Sequence, residues 1–234
     1  MEQFAERLAQ THAFGKLARA ERIELARLAH RRQLDAGEFL CHQGEVWTHA
    51  IFVAAGQLRW AMLSPSGKEY MLYALEPGRV FWGHSFFDDE PMPASLQATQ
   101  PTEVYVWHRD VILPIVDRNP VVWREITKAL VATMRQAREI IYGLAFQPVA
   151  GRLAKLLLTQ FPAPEKQSFE RSITLHEIAA RVASTPEVVS RVLHQFQAEG
   201  ILEITRASIT LNNRAALARV VESTDGAKKS DPKE

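Results

Sequence analysis

Three polar residues near the C-terminal end of the chain have the types and the spacing that reading a DNA sequence requires. Glu187, Ser190 and Arg191 lie three to four residues apart, so a helix would place all three on one face. An arginine can donate two hydrogen bonds to guanine, and a glutamate can accept one from the amino group of cytosine. The pattern therefore predicts a helix that enters the major groove. The alternative is a solvated helix face without a partner.

Two helical segments joined by a three-residue break must position that face. Residues 175–182 and 186–199 have helical patterns, and together they have the dimensions of a helix-turn-helix. Thr185 suits the N-cap, Pro186 the first helical position, and Glu187 the first turn, where an acid interacts favourably with the helix dipole. The apolar contact between the two helices is predicted to comprise Ile178, Ala179, Val189, Val192 and Leu193.

A hairpin is predicted after the second helix, from the β-type runs at residues 202–205 and 208–211. Arg206 lies in the turn between these runs and is predicted to contact backbone phosphate, as the tip of a wing would. The full predicted DNA-binding set is Thr174, His176, Thr185, Pro186, Glu187, Ser190, Arg191 and Arg206.

A long helix is predicted to precede this region. Asn119 and Pro120 suit a helix start, and no further proline or glycine occurs until Gly143. Apolar or small residues recur in it at alternating intervals of three and four, which is the seam of a two-stranded coiled coil and predicts a homodimer. The alternative is an amphipathic helix packed on its own domain; at about 1.5 Å per residue, however, the helix would overrun a small β domain. The seam consists of Trp123, Ile126, Leu130, Thr133, Ala137, Ile140 and Leu144.

The region before the long helix is predicted to be an antiparallel β roll or sandwich that follows two short N-terminal helices. Short β-type runs alternate there with glycine-containing turns. The runs cover residues 38–40, 49–54, 57–63, 69–75 and 103–107. The predicted fold class is therefore α+β. Its predicted parts are a β-roll sensor with N-terminal helices (1–118), a dimerisation helix (119–145), a winged helix-turn-helix (146–222) and a disordered tail (223–234).

The composition excludes several classes of protein. Of the 234 residues, 47% are hydrophobic and 24% are charged, as in ordinary globular proteins, and the formal net charge of +1 does not by itself indicate a nucleic-acid partner. The longest apolar run is six residues, against roughly 20 for a membrane-crossing helix. The N-terminus lacks the pattern of a secretory signal, so a cytoplasmic protein is expected. Metalloprotease, phosphate-loop and nucleophile-elbow motifs are absent from the sequence, so an enzyme is not expected.

Short motifs spread along the chain carry a family resemblance. They are Gly37-Glu38, His42-Gln43-Gly44-Glu45, Gly56, Ser66-Gly67-Lys68-Glu69, Leu144-Ala145-Phe146, Gly151-Arg152-Leu153-Ala154, Ile173-Thr174 and Glu177-Ile178-Ala179. With them, residues 34–211 resemble the CRP/FNR family of transcription regulators, typified by the catabolite activator protein and FNR. The resemblance implies a cyclic-nucleotide-binding-like β roll, a dimerisation helix and a C-terminal winged helix-turn-helix, with duplex DNA and RNA polymerase as partners. It also implies a half-site close to TTGAT, because Glu187, Ser190 and Arg191 match the FNR-type recognition pattern.

Departures from the family pattern concern the effector. Trp82-Gly83 and Pro93-Ala94 stand where cyclic-AMP-binding members have a Gly-Glu pair and an Arg-Ser pair, and Thr133 and Ala137 stand where those members place polar adenine contacts. Cyclic AMP is therefore not expected in the pocket that these residues would line. An iron–sulfur cluster is not expected either, because Cys41 is the only cysteine.

One histidine is compatible with a haem sensor. The segment that contains His84 is similar to the one that carries the proximal haem ligand in the carbon-monoxide sensor of this family. The effector is thus a haem held by His84 or an unidentified small ligand. A second hypothesis for the whole chain is a ligand-binding or interaction module with a degenerate DNA-binding domain.

Overall fold

The computed structural model describes residues 1–160, 168–170, 173–205 and 208–226 of the chain. The chain divides into two compact units, Met1–Met134 and Arg135–Glu234, each with a hydrophobic core of its own. Antiparallel sheets, a long helix and a C-terminal helix-turn-helix confirm the predicted α+β class. Within the described ranges, no helix is both long enough and apolar enough to cross a membrane.

The first unit contains two four-stranded antiparallel sheets and flanking helices. Its elements before the long helix are α1 (Glu2–Ala9), α2 (Arg19–Leu28), β1 (His30–Leu34), β2 (Phe39–Cys41), β3 (His49–Ala55), β4 (Leu58–Leu63), β5 (Glu69–Leu75), β6 (Val80–Trp82), α3 (Ser85–Asp88), β7 (Ser95–Ala98), β8 (Thr102–His108) and α4 (Arg109–Asp117). The strand order is β1-β8-β3-β6 in one sheet and β2-β7-β4-β5 in the other.

Strand β3 is buried on both faces and separates two cores. Successive side chains of a strand point to opposite faces, so Ile51 and Val53 enter the core between the two sheets, the inner core. Phe52 enters the outer core, which includes the N-terminal helices. The Trp107 side chain is fully buried there, and its Nε1 donates to the carbonyl of Leu25 in α2 at 2.8 Å.

The long helix, α5 (Pro120–Phe146), begins in the first unit and ends in the second. The predicted helix over 119–145 is confirmed to within one residue at each end. At about 1.5 Å per residue, its 27 residues span roughly 40 Å.

The second unit contains the helix-turn-helix. Its further elements are α6 (Val149–Gln160), β9 (Ser168–Glu170), α7 (Leu175–Arg181), α8 (Pro186–Ala198), β10 (Leu202–Ile204), β11 (Ser208–Leu211) and α9 (Arg214–Gly226). The strands form an antiparallel sheet in the order β10-β11-β9. Four of the five predicted apolar contacts between α7 and α8 are fully buried in the core of this unit, and Val192 packs against it.

Several elements differ from the sequence-based expectation. The patterns do not predict the strands β1, β6, β7 and β9 or the helices α3, α4 and α9. β6 has three residues and β7 has four, too few for a clear alternation of polar and apolar positions. Helix α9 ends at Gly226, so it includes the first four residues of the predicted tail, 223–226. Residues 227–234 lie outside the described residues.

Candidate functional site

Helix α8 presents the predicted polar face to solvent. Glu187 and Arg191 are exposed, and Ser190 is half-buried beside them. Among the described residues, no hydrogen bond or ion pair engages the Arg191 side chain. The nearby Thr185 hydroxyl and the backbone N–H of Glu187 lower the pKa of the Glu187 carboxyl, so it is a charged acceptor at neutral pH. His194, one turn further along, is also exposed. It is not in the predicted DNA-binding set, although its spacing of three residues from Arg191 places it on the same face of the helix.

The opposite face of α8 holds the helix in place. Val189, Leu193 and Phe196 are at most 3% exposed and pack in the core of the second unit. Thr185 occupies the N-cap in an extended conformation and Pro186 the first helical position, as predicted, although the Thr185 side chain makes no capping hydrogen bond. The polar face is therefore fixed by core packing and by the fixed φ of proline.

Arg152 of α6 supports the turn between α7 and α8. Its Nε donates to the carbonyl of Val182 at 2.9 Å, and its Nη2 donates to the carbonyl of Ala183 at 3.4 Å. Ala183 has a φ of 49°, a left-handed conformation that costs a non-glycine residue about 1 to 2 kcal/mol. Sequence reasoning missed this role of Arg152 because the contact joins residues 30 positions apart.

The start of α7 is fixed by a capping box. The Thr174 hydroxyl accepts from the Glu177 backbone N–H at 3.2 Å, and the Glu177 carboxylate accepts from the Thr174 backbone N–H at 2.6 Å. His176 is exposed in the first turn, and its charge contributes to the lowered pKa of the Glu187 carboxyl.

The predicted hairpin after α8 is present. Ile204 of β10 pairs with Ile209 of β11, and the Thr205 backbone N–H donates to the Ser208 carbonyl at 2.9 Å. Arg206, the predicted phosphate contact, lies outside the described residues.

Comparison with protein families gives one match in each unit. A cyclic nucleotide-binding domain model matches residues 31–119, and a Crp-like helix-turn-helix domain model matches residues 151–220, which include α7, the turn and α8. The chain belongs to the CRP/FNR family. CRP/FNR proteins are DNA-binding transcription regulators rather than enzymes.

Individual relatives agree with this assignment. The chain is 28% identical over 201 residues to a cyclic AMP receptor protein of Thermus thermophilus, covering 86% of this chain and 92% of the relative. It is 26% identical over 176 residues to the transcriptional activator protein Anr of Pseudomonas aeruginosa, covering 73% and 72%. A CooA mutant from Carboxydothermus hydrogenoformans superposes with a TM-score of 0.70 at 23% identity, covering 83% and 88%, and shares the fold.

The residues predicted to line an effector pocket in this CRP/FNR regulator do not all come together. Trp82 is 6% exposed and lies in the outer core, with its ring 5.8 Å from that of Phe14. Ala94 is fully buried in the inner core, and Pro93 is exposed. The grouping of Trp82 with Ala94 is wrong, because alternation along β6 directs Phe81, not Trp82, into the inner core.

The other predicted pocket residues have different surroundings. A Cβ at Gly83 would lie 2.8 Å from the carbonyl oxygen of Trp47, so close backbone approach accounts for this glycine. Thr133 is half-buried near Tyr73. Ala137 is exposed and belongs to the second unit.

An aromatic cluster fills part of the β roll. The Trp60 ring lies 5.0 Å from Tyr73, 5.5 Å from Phe81 and 5.1 Å from His84. Burial raises the pKa of Tyr73 to about 12, opposed by the nearby Thr133 hydroxyl. The rings of the cluster are thus uncharged at neutral pH, and the positive charge of Arg79 acts on Tyr73 from nearby.

The surroundings of His84 do not fit an axial haem ligand. Its imidazole is stacked on the Trp60 indole at an interplanar angle of 26°, and burial lowers its pKa. Its Nδ1 is buried without a hydrogen-bond partner, whereas metal-binding histidines almost always donate their second ring N–H to a partner. Among the residues that the structure describes, no cluster of three or more His, Cys, Asp or Glu side chains could hold a metal ion.

The first part of the predicted dimer seam packs on its own unit. Ile126 is 1% exposed in the outer core, and Trp123 and Leu130 pack against that core. The prediction that Ile126 faces a second copy is therefore wrong, since the same spacing also fits packing within one chain. Thr133 and Ile140 are half-buried.

A neighbouring line of residues on α5 is exposed instead. Met134 is 71% exposed, Ile141 64% and Leu144 44%. Met134 and Ile141 alternate with the predicted seam residues Leu130, Ala137 and Leu144 at intervals of four and three, which keeps one side of a helix apolar. The line Leu130, Met134, Ala137, Ile141 and Leu144 is called the apolar stripe below.

Proposed function

We propose that this CRP/FNR protein regulates transcription as a homodimer that inserts one α8 helix per copy into the major groove. The observation that carries the proposal is the exposed polar face of α8, where the Arg191 guanidinium has no partner among the described residues and the Glu187 carboxylate is charged. Arg152 supports the turn before this helix and so helps to hold the face in place.

Dimerisation through the apolar stripe follows from its exposure. Large apolar side chains at Met134 and Ile141, more than 60% exposed in the single chain, would be covered by the same residues of a second α5 helix. Packing of two such helices with a heptad-like repeat gives a two-fold dimer.

The proposed DNA site is an inverted repeat of a half-site close to TTGAT. Arg191 is assigned to the guanine of TTGAT and Glu187 to the cytosine that pairs with it, with Ser190 beside them. Two-fold symmetry of the dimer places the half-sites about one helical turn apart, roughly 34 Å. Arg206 is assigned to backbone phosphate.

The signal sensed by the β roll is proposed to be a small ligand other than cyclic AMP. Pro93 and Ala94 provide neither a charge nor a hydroxyl for a cyclic phosphate, and the Trp60 cluster is uncharged. Calorimetric titration with cyclic AMP is expected to give no heat of binding. Micromolar affinity would contradict this part of the proposal.

RNA polymerase is proposed as the second macromolecular partner, and the cytoplasm as the compartment in which they meet. Activation or repression depends on where the inverted repeat lies relative to the promoter, which a transcription assay with purified polymerase measures.

DNA binding is tested with three duplexes at physiological salt: a TTGAT inverted repeat, a TGTGA inverted repeat and a scrambled control. Fluorescence anisotropy is expected to show the tightest binding to the first and at least about 1000-fold weaker binding to the scrambled duplex. Equal affinities for all three duplexes, rising steeply at low salt, would contradict specific recognition and support the degenerate-domain hypothesis.

A further inference from the structure

A cleft on the outside of the β roll is separate from the inner core. It lies between the segment after α1, the start of β6 and one side of α5, and it encloses about 330 Å³. Its lining includes Trp82, whose side chain belongs to the outer core, whereas Trp60 and Phe81 belong to the inner core. All of its lining residues belong to the first unit.

The walls of the cleft are apolar and spacious. Ala13, Val80 and Trp82 line one side, and Ala129 and Ala132 of α5 line the other. The two alanines leave room beside the helix, because any larger side chain would project into the cleft. Such walls suit an apolar or aromatic body of modest size.

The rim of the cleft is positively charged. Its one carboxylate, Glu125, is held at 2.7 Å by the Lys128 ammonium, which with His12 and Lys16 lowers the pKa of Glu125. Arg79 also lines the cleft, and no ion pair among the described residues engages its guanidinium. One arginine is therefore left with an uncompensated positive charge next to an apolar wall.

We propose that this cleft binds a small organic carboxylate, with its apolar body on Trp82, Val80 and Ala129 and its anionic group paired with Arg79. A guanidinium pairs with a carboxylate through two parallel hydrogen bonds, so a negative group gains both orientation and affinity there. The proposal does not depend on DNA binding. The ligand would contact α5 on the side of the helix opposite the apolar stripe. Helical spacing places the cleft residues of α5 on that side; they are Glu125, Lys128, Ala129 and Ala132.

The test is calorimetric titration of the full chain with naphthoate and, as an uncharged isostere, naphthamide. Naphthoate is expected to bind saturably at one site per chain, and naphthamide at least about tenfold more weakly. Arg79→Gln should weaken naphthoate by about tenfold and leave naphthamide unchanged, and Ala132→Trp should abolish both by filling the cleft. Arg79 and Ala132 are exposed, so neither substitution disturbs a core.

The matched control is Arg118→Gln, which removes another exposed arginine of the same unit. It should leave naphthoate binding unchanged. Two results would overturn the proposal: no saturable binding of naphthoate to the wild-type chain at millimolar concentration, or binding that survives both Arg79→Gln and Ala132→Trp.

Discussion

Helix α8 and the interior of the β roll differ in the side chains that they present. Helix α8 exposes polar and charged groups, whereas aromatic rings fill part of the interior of the roll. On α8, Glu187 and Arg191 are exposed, and no described side chain pairs with Arg191. In the roll, Trp60 is 4% exposed and packs against the rings of Tyr73 and Phe81. Helix α8 thus exposes groups that can hydrogen-bond to bases, whereas the aromatic rings around Trp60 carry no charge at neutral pH. Family membership therefore establishes DNA binding for this protein and leaves its effector to the particular residues of the roll.

The largest expected effect distinguishes a packed core from an open pocket in the roll. Trp60→Ala removes a buried indole from the inner core, so we expect the free energy of unfolding to fall by about 3 to 5 kcal/mol. Urea unfolding followed by circular dichroism measures the loss. The control, Phe39→Ala, truncates a 39% exposed ring of the same roll and should cost much less. A loss below about 1 kcal/mol for Trp60→Ala would mean that Trp60 lines a cavity.

The next effect concerns the helix that joins the two regions. Met134→Glu puts a charge into the centre of the apolar stripe, where two copies would face each other in a desolvated contact. Sedimentation velocity at micromolar concentration is expected to show monomers. Gln136→Glu adds the same charge to an exposed position nearly opposite on the helix and should stay dimeric. A dimeric Met134→Glu protein would place the interface elsewhere.

A smaller effect is expected at the recognition helix itself. Arg191→Ala should cost about 1 to 3 kcal/mol of binding to the TTGAT repeat and relax the preference at the guanine, with unchanged unfolding free energy. Competition binding with duplexes altered at that base pair measures the preference. Arg219→Ala, at an exposed arginine of α9, is the control and should keep full discrimination. Undiminished discrimination in Arg191→Ala would remove Arg191 from the base-reading role.

The smallest effect is a pH dependence of stability that comes from two histidines of the roll, His49 and His84. Burial lowers the pKa values of His49 and His84 below the ordinary value of 6.5, so the unfolded chain binds these protons more readily than the folded one. The free energy of unfolding should therefore decrease as the pH falls through about 6.5, where the unfolded histidines become protonated. Urea unfolding across this range should give a shallower decrease for His49→Gln combined with His84→Gln. An identical slope would contradict the assignment.

How much the sequence predicts depends on whether a feature is local. The strands near residues 49–54 and 69–75 and the starts of α5 and α8 follow from alternation, glycine turns and the Pro120 and Pro186 positions, and the structure contains them. The polar face of α8 follows equally well, because helical spacing alone sets it.

Features that depend on packing could not be read from the sequence. The heptad spacing of α5 does not say whether Ile126 meets its own roll or a second copy, and the structure assigns it to its own roll. The direction of Trp82 depends on the short strand β6, which has no recognisable pattern. The support of the helix-turn-helix by Arg152 joins distant positions and has no local signal.

Selection of binding sites from random duplexes tests the central claim most directly, since it makes no assumption about the half-site. The wild-type dimer is expected to enrich an inverted repeat whose half-sites contain TGA, close to TTGAT, with centres about one helical turn apart. Enrichment of an inverted repeat without the TGA core, or of no motif at all, would contradict the account of α8 as the helix that reads DNA through Glu187, Ser190 and Arg191.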